Sequence, residues 1–97
     1  MAEYIFLMHD DAIDDDNAWR RPYLDKLKQG GFLEGGSAIG HGLCARKSGE
    51  LPSVTAHLTG YIRIQADSLD QAKSLLIGNP LFEAGGTVEI RELPRTD

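Results

Sequence analysis

The segment that is most informative about the fold reads Gly60-Tyr-Ile-Arg-Ile-Gln-Ala-Asp-Ser-Leu-Asp-Gln-Ala-Lys-Ser-Leu-Leu-Ile-Gly-Asn-Pro-Leu-Phe-Glu-Ala-Gly-Gly-Thr-Val-Glu-Ile-Arg91. A strand over residues 60–66 is followed by a capping box, in which Ser68 accepts a hydrogen bond from the backbone N–H of Gln71 while the Gln71 side chain reaches back. A glycine ends the helix, and the Asn79-Pro80 pair interrupts the regular secondary structure. Residues 87–93 then alternate apolar and polar side chains, which predicts a half-buried strand.

The N-terminal half repeats this order. Residues 3–8 form a short apolar run that ends at the polar cluster His9-Asp10-Asp11, as a mostly buried strand does. Apolar residues at i, i+4 and i+8 predict a helix from about residue 17 to Gln29, with Pro22 either in its first turn or at a kink. Residues 32–39 fit a second strand, in which Gly35-Gly36 predicts a bulge.

Residues 40–53 are polar and contain glycines, which predicts a long connection with a hairpin extension at residues 54–58 as one option. The second helix should bury one face against the sheet: Leu69, Ala72, Leu75 and Leu76. The predicted order is βαββαβ. This order favours an α+β, ferredoxin-like fold in which a four-stranded antiparallel sheet carries two helices on one face.

The length, composition and charge of the chain indicate a single globular domain and disfavour nucleic-acid binding. The chain has 97 residues, 41% of them hydrophobic and 26% charged, which is typical of one globular domain spanning residues 1–97. A chain of this length buries only roughly 65% of its unfolded surface, so dimerisation would supply further cover. The net charge of −5 disfavours nucleic-acid binding. The apolar run near the start is too short for a signal or membrane segment, so we expect a cytoplasmic protein.

The strand alternation separates two faces of the sheet. If Ile62, Ile64, Val88 and Ile90 pack under the helices, the opposite face carries Tyr61, Arg63, Gln65, Glu89 and Arg91. The two arginines, the tyrosine and the glutamate of this face could then bind a small anionic or polar ligand in a cavity between two sheets. The alternative is a wet dimer interface with cross-strand ion pairs.

Two histidines are candidate proton carriers, because histidine exchanges protons near neutral pH. His9 ends the first strand beside two aspartates, and His41 lies between two glycines. The third, His57, fits an outward position equally well. The histidines lack the spacing of a zinc site, and the run Asp10–Asp16 lacks the glycine and glutamate of an EF-hand. No phosphate-binding glycine pattern is present. We therefore expect no bound metal and no cofactor.

The order of several short motifs resembles the YCII-related family, which includes the DGPF group. These motifs are Tyr4-Ile-Phe-Leu-Met8, Tyr23-Leu-x-x-Leu27, Gly31-Phe-Leu-x-Gly-Gly36, Gly60-Tyr61, Ser68-Leu-x-x-Ala72, Asn79-Pro80 and Gly86-Thr-Val-Glu-Ile-Arg91. The resemblance covers nearly the whole chain. It implies a dimeric α/β barrel, in which two four-stranded sheets pack face to face.

The resemblance also implies a site. Family members of the YCII type use a histidine that follows Arg-Pro early in the first helix and an aspartate before the proline after the second helix as an acid/base pair. Here Arg21-Pro22 is present, but the matching positions hold Tyr23 or Leu24 and Asn79. The Asp-Gly-Pro-Phe motif is absent before Gly60. Tyrosine and asparagine can hydrogen-bond a ligand, yet neither accepts a proton readily at pH 7.

Three functions stay open at this stage. The first is a homodimer that binds a small polar molecule between sheet and helices, with Tyr23, Asn79, Tyr61 and Arg63 as ligand-binding residues. The second is an enzyme of lyase or isomerase type that uses His9 or His41 as acid or base. The third is a non-catalytic interaction module whose sheet face is filled by its partner. An enzyme needs a histidine that converges with a second polar group on a cavity.

Overall fold

The computed structural model describes residues 2–11 and 20–94. Its elements follow one another along the chain as β1 (Ala2–His9), α1 (Arg20–Gln29), β2 (Leu33–Ala38), β3 (Leu58–Ala66), α2 (Leu69–Ser74), α3 (Pro80–Glu83) and β4 (Val88–Glu92). The strands form one antiparallel sheet in the order β2-β3-β1-β4. The expected α+β, ferredoxin-like fold is confirmed.

The core lies between this sheet and the helices. Alternate residues of the two central strands are buried on the helix side: Tyr4, Phe6, Met8, Ile62, Ile64 and Ala66. Val88 and Ile90 of β4 pack against the same cluster, as the alternation predicted. The opposite face of the sheet, which we call the open face, carries Tyr61, Arg63, Gln65, Glu89 and Arg91 together with Ile5 and Leu7.

The capping prediction for α2 is correct with one difference. Ser68 Oγ accepts a hydrogen bond from the Gln71 backbone N–H at 3.1 Å, but the Gln71 side chain accepts from Asp67 N–H rather than from Ser68 N–H. Ala72 and Leu76 are buried and Leu75 is half-buried. The expectation that Leu69 is buried was wrong, since it is 55% exposed. As the first residue of a short helix, it lies beyond the edge of the contact with the sheet.

Strand β2 shows the expected irregularity. Its register against β3 shifts between Leu33 and Gly35, so a bulge lies at the predicted place. In α1, Pro22 lies in the first turn of the helix as its bounds are described, where a proline fits without breaking a hydrogen bond. Trp19 and most of the aspartate run, residues 12–16, lie outside the described residues.

Residues 39–57, which we call the arm, leave the sheet between β2 and β3. The arm contains no helix or strand, so the hairpin predicted at residues 54–58 was wrong, and β3 instead begins at Leu58. The Cα radius of gyration is 14.9 Å, whereas a compact chain of this length has about 12.5 Å. Every residue of the arm except the half-buried Cys44 is exposed, so the arm makes little contact with the body of the fold.

Candidate functional site

A cavity of about 290 Å³ lies between α1, the start of α3 and the edge of the sheet formed by β2 and β3. Most of its wall is apolar side chain and glycine backbone, with Tyr23 and Asn79 as its buried polar residues. The lining residues are Met8, Tyr23, Leu24, Leu33, Gly35, Gly36, Ser37, Ala38, Tyr61, Ile62 and Asn79. A mostly apolar cavity with a few fixed polar groups is the usual form of a small-molecule site.

Tyr23 enters this cavity from α1. Its hydroxyl donates a hydrogen bond of 2.7 Å to the backbone oxygen of Leu75 at the end of α2. Burial raises the pKa of Tyr23 to about 12, and a hydrogen bond with Asn79 acts in the opposite direction. The hydroxyl is therefore protonated at neutral pH and cannot act as a base there. Because its proton is donated to Leu75 O, Tyr23 can offer a ligand only an acceptor oxygen.

Asn79 holds the other polar position. It is only 1% exposed, and its Oδ1 accepts a hydrogen bond of 3.0 Å from the backbone N–H of Phe82. Asn79 is thus the N-cap of α3, with Pro80 at the first helical position, a combination that starts helices. Because Oδ1 is held by the cap, the side-chain NH₂ group is the part of Asn79 left to meet Tyr23 or a ligand.

Glycine forms the strand wall of the cavity for a steric reason. A Cβ atom on Gly36 would lie 2.6 Å from the backbone oxygen of Tyr61 and 3.2 Å from the Cα of Ile62. Both neighbours are main-chain atoms of β3, which cannot turn aside as a side chain can. Any larger residue at position 36 would push β2 away from β3 and alter the cavity.

The cavity wall carries no charged side chain within the described ranges 2–11 and 20–94. The predicted ligand-binding residues therefore separate into two groups. Tyr23 and Asn79 line the cavity on the helix side of the sheet, and Tyr61, which belongs to the open face, borders the same cavity. Arg63 does not line the cavity; it binds Glu3 on the open face, with Nη1 2.9 Å from Oε1. An anion in the cavity would have no nearby cation from the wall.

His9 belongs to a different cluster, at the end of the open face. Its Nε2 is buried and lies 3.4 Å from Glu89 Oε1, an ion-pair distance if His9 is protonated but without the geometry of a full hydrogen bond. The ring of His57 stands edge-on to the His9 ring, with centroids 4.6 Å apart. Hydrogen bonding from Arg91 lowers the pKa of Glu89, and the nearby His9 acts in the same direction.

Asp11 secures the same end of the sheet. Its two carboxylate oxygens accept hydrogen bonds from Thr87, one from the backbone N–H at 2.8 Å and one from the hydroxyl at 2.7 Å. These bonds to Thr87 lower the pKa of Asp11, and the nearby His9 adds a smaller effect. Asp11 therefore ties the end of β1 to the start of β4.

His41, the second candidate proton carrier, is exposed in the arm. It lines a shallow groove together with arm residues such as Leu43 and Val54. The structure therefore brings His9 together with Glu89 and His57, but it places neither His9 nor His41 with Tyr23 and Asn79.

Within the described part of the chain, no group of three or more His, Cys, Asp or Glu side chains is arranged to hold a metal ion. No described helix is long and apolar enough to cross a membrane.

The site contains contacts that sequence reasoning missed. The apolar wall formed by Met8, Leu24 and Leu33 was not expected, because local patterns mark these residues only as core. The contact between His9 and His57 was also missed, since it depends on the register that sets the start of β3 beside the end of β1. The Asn79-Pro80 dipeptide did carry a signal for α3 that was interpreted only as a break.

No protein-family model matches the chain, and no curated protein matches it in sequence. Among solved structures, it is similar to 5-chloro-2-hydroxyhydroquinone dehydrochlorinase from Burkholderia phenoliruptrix AC1100, solved in complex with 2,5-dihydroxybenzoquinone. The two chains are 18% identical, and the alignment covers 99% of this chain and 96% of the other with a TM-score of 0.61. The likeness extends over the whole fold.

Proposed function

We propose that this protein is a homodimer that binds a small, uncharged ring molecule with oxygen substituents in the cavity between α1, α3 and the sheet. The observation that carries the proposal is the cavity itself, with its apolar walls and the buried pair Tyr23 and Asn79. Its volume of about 290 Å³ is at the small end of ligand sites, which suits a single ring. Its uncharged wall favours a neutral ligand.

Two further observations support this site. The positions that the YCII-like motifs mark as functional hold Tyr23 or Leu24 in place of the histidine and Asn79 in place of the aspartate, and all three residues line the cavity. The similar dehydrochlorinase was solved with 2,5-dihydroxybenzoquinone, a flat ring that carries oxygen atoms. Replacement of the acid/base pair by two neutral hydrogen-bonding groups favours binding over proton transfer at this position.

Ligand titration followed by two-dimensional ¹H–¹⁵N NMR would test the proposal. The probes are hydroquinone, which is neutral at pH 7, and benzoate, a ring of similar size that is charged. We expect hydroquinone to shift the backbone signals of Gly35 and Gly36 and the side-chain NH₂ signal of Asn79, and benzoate to leave them in place. An Ala38→Phe variant should fill the cavity and abolish the shifts, whereas Lys28→Phe on the exposed side of α1 should retain them.

The proposed homodimer would use the open face. Its centre is formed by Ile5, Leu7 and Tyr61, which are half-buried even without a partner. Around this centre the charges are already paired within one copy, Glu3 with Arg63 and Glu89 with Arg91, the latter pair at 3.1 Å. A second sheet could therefore cover these two ion pairs without burying an unpaired charge, while Glu34, which accepts a hydrogen bond from Gln65, would stay outside the covered area.

A second candidate function, catalysis with His9 as proton carrier, is favoured by the contact of His9 with Glu89. A carboxylate beside an imidazole is a common way to orient a catalytic histidine. A direct test is chloride release from 5-chloro-2-hydroxyhydroquinone, the substrate named for the similar dehydrochlorinase. Enzymatic release that His9→Gln abolishes, and that His41→Gln leaves unchanged, would favour catalysis. No release above background would remove this reaction as a candidate function.

A further inference from the structure

The arm leaves the sheet along the strand direction and is not packed on its own body. At its base, Ile39 N–H donates to Thr59 O at 3.1 Å, and Asp10 N–H donates to His57 O at 2.8 Å. These bonds continue the pairing of the sheet by one residue beyond the strands. Every residue of the arm except the half-buried Cys44 is exposed, so the arm makes little contact with the rest of its own chain.

The arm also presents apolar side chains that its own chain does not cover. Ile39, Leu43, Leu51 and Val54 are between 38% and 82% exposed, with Leu43 the highest. Four exposed apolar side chains on one segment without regular structure form the kind of surface that marks an interaction site. The tip is ordered by its own contacts, since Arg46 Nη1 donates to Glu50 O at 2.7 Å.

Charge indicates what covers this surface. The arm contains Arg46, Lys47 and Glu50, so it carries a net charge of +1, whereas the rest of the chain carries −6. The arm is therefore attracted to the body of this same protein, but it does not lie on the body of its own copy, since nearly all of its residues are exposed. The body of a second copy carries the opposite charge to the arm and is brought close to it by the proposed dimer.

We infer that the arm of each protomer packs across the dimer onto the body of the second copy, with its apolar side chains against that copy. This inference rests on the proposed homodimer. It makes the arm the second contact of the dimer, beside the open face. It also connects assembly with the ligand cavity, because Ala38, the residue before the arm, lines that cavity.

Sedimentation equilibrium of matched variants tests the arm. The double variant Leu43→Ser/Leu51→Ser should raise the dimer dissociation constant on the order of tenfold or more. Each substitution removes a leucine side chain that would be buried in the proposed dimer. The control is Leu69→Ser/Ile77→Ser, which removes two similarly exposed apolar side chains, 55% and 64% exposed, from the helix layer. We expect the control to dimerise like the wild type. Circular dichroism of each variant shows whether the fold is retained.

The outcomes separate the arm from the dimer itself. If the arm variant dimerises as tightly as the wild type while Tyr61→Glu dissociates, the inference about the arm is wrong and the open-face dimer stands. If the wild type is monomeric at concentrations of hundreds of micromolar, the proposed dimer fails and the arm inference fails with it.

Cys44 allows a direct measurement of where the arm lies. It is the only cysteine of the chain and lies in the arm, so benzophenone-maleimide labels this position without further mutation. Photocrosslinking of mixed ¹⁴N and ¹⁵N protein should give peptide pairs of mixed isotope composition, with Cys44 joined to the body of the other copy. Crosslinks confined to one isotope would show that the arm folds back on its own chain, which would overturn the inference.

Discussion

At the scale of single residues, Tyr23 joins three parts of the molecule. It sits on α1, donates to the last turn of α2 through Leu75 O, and contacts the cap of α3 through Asn79. One hydroxyl group therefore holds the helices in register around the cavity. The ionisation of this group reports directly on whether that arrangement is intact.

The Tyr23 hydroxyl should make stability depend on pH in the alkaline range. Its pKa is about 12 in the folded chain and about 10 in the unfolded chain. Because the folded pKa is raised, the stabilisation is fully present below pH 10 and is lost as pH rises toward 12. Between pH 9 and pH 11, the wild type should lose about 1 kcal/mol more unfolding free energy than Tyr23→Phe. Urea unfolding at both pH values measures this difference, and equal losses would contradict it.

Gly36 should tolerate no side chain, for the steric reason given by its distance to Tyr61 O. Gly36→Ala is expected to lower the unfolding free energy by roughly 1–3 kcal/mol, as overpacking against main chain does. Gly40→Ala is the matched control, because nothing lies within 4 Å of a Cβ placed there. The control should change stability by less than about 0.5 kcal/mol. Equal effects at the two positions in thermal or urea unfolding would count against the steric explanation.

At the scale of elements, the two helix caps differ in burial. Asn79 bonds the part-buried N–H of Phe82, whereas Ser68 bonds the exposed N–H of Gln71. Water can replace the cap on α2 but not the cap on α3. We expect Asn79→Ala to cost about 2 kcal/mol of unfolding free energy and Ser68→Ala less than about 1 kcal/mol. Asn79→Ser should recover part of the loss. The reverse order of the two alanine variants in urea unfolding would exclude this explanation.

The strands were predictable because their period of two is visible in single segments, as in Tyr61 to Ala66. Helix α3 was not predicted, since four residues are too few to show a helical period. The Asn79-Pro80 pair marks a helix start as well as a break, and only the surrounding structure decides between them. The cavity had no local signal, because Tyr23 and its partner Leu75 lie 52 residues apart.

At the scale of the whole molecule, the open face and the arm are the two surfaces that a second copy would cover in the proposed dimer. We expect Tyr61→Glu to weaken the proposed dimer, because it would place an unpaired carboxylate at the apolar centre beside Leu7, its partner across the strands. Light scattering at low micromolar concentration should then report the mass of a monomer. Ile77→Glu, an exposed position in the helix layer, is the control and should leave the mass unchanged. Dimeric mass for Tyr61→Glu would argue against the open face as the interface.

The strand order β2-β3-β1-β4 also has a consequence for biosynthesis. Among the strands of this sheet β1 is made before the others, and it is a central strand whose neighbours are β3 and β4. Its apolar residues Tyr4 to Met8 therefore have no pairing partner until β3 has been synthesised, and the second partner, β4, follows only after α3. Long-range closure of this kind slows folding and exposes the nascent strand to aggregation. We expect the complete sheet to form only after β4 has been made, and until then chaperones can bind β1.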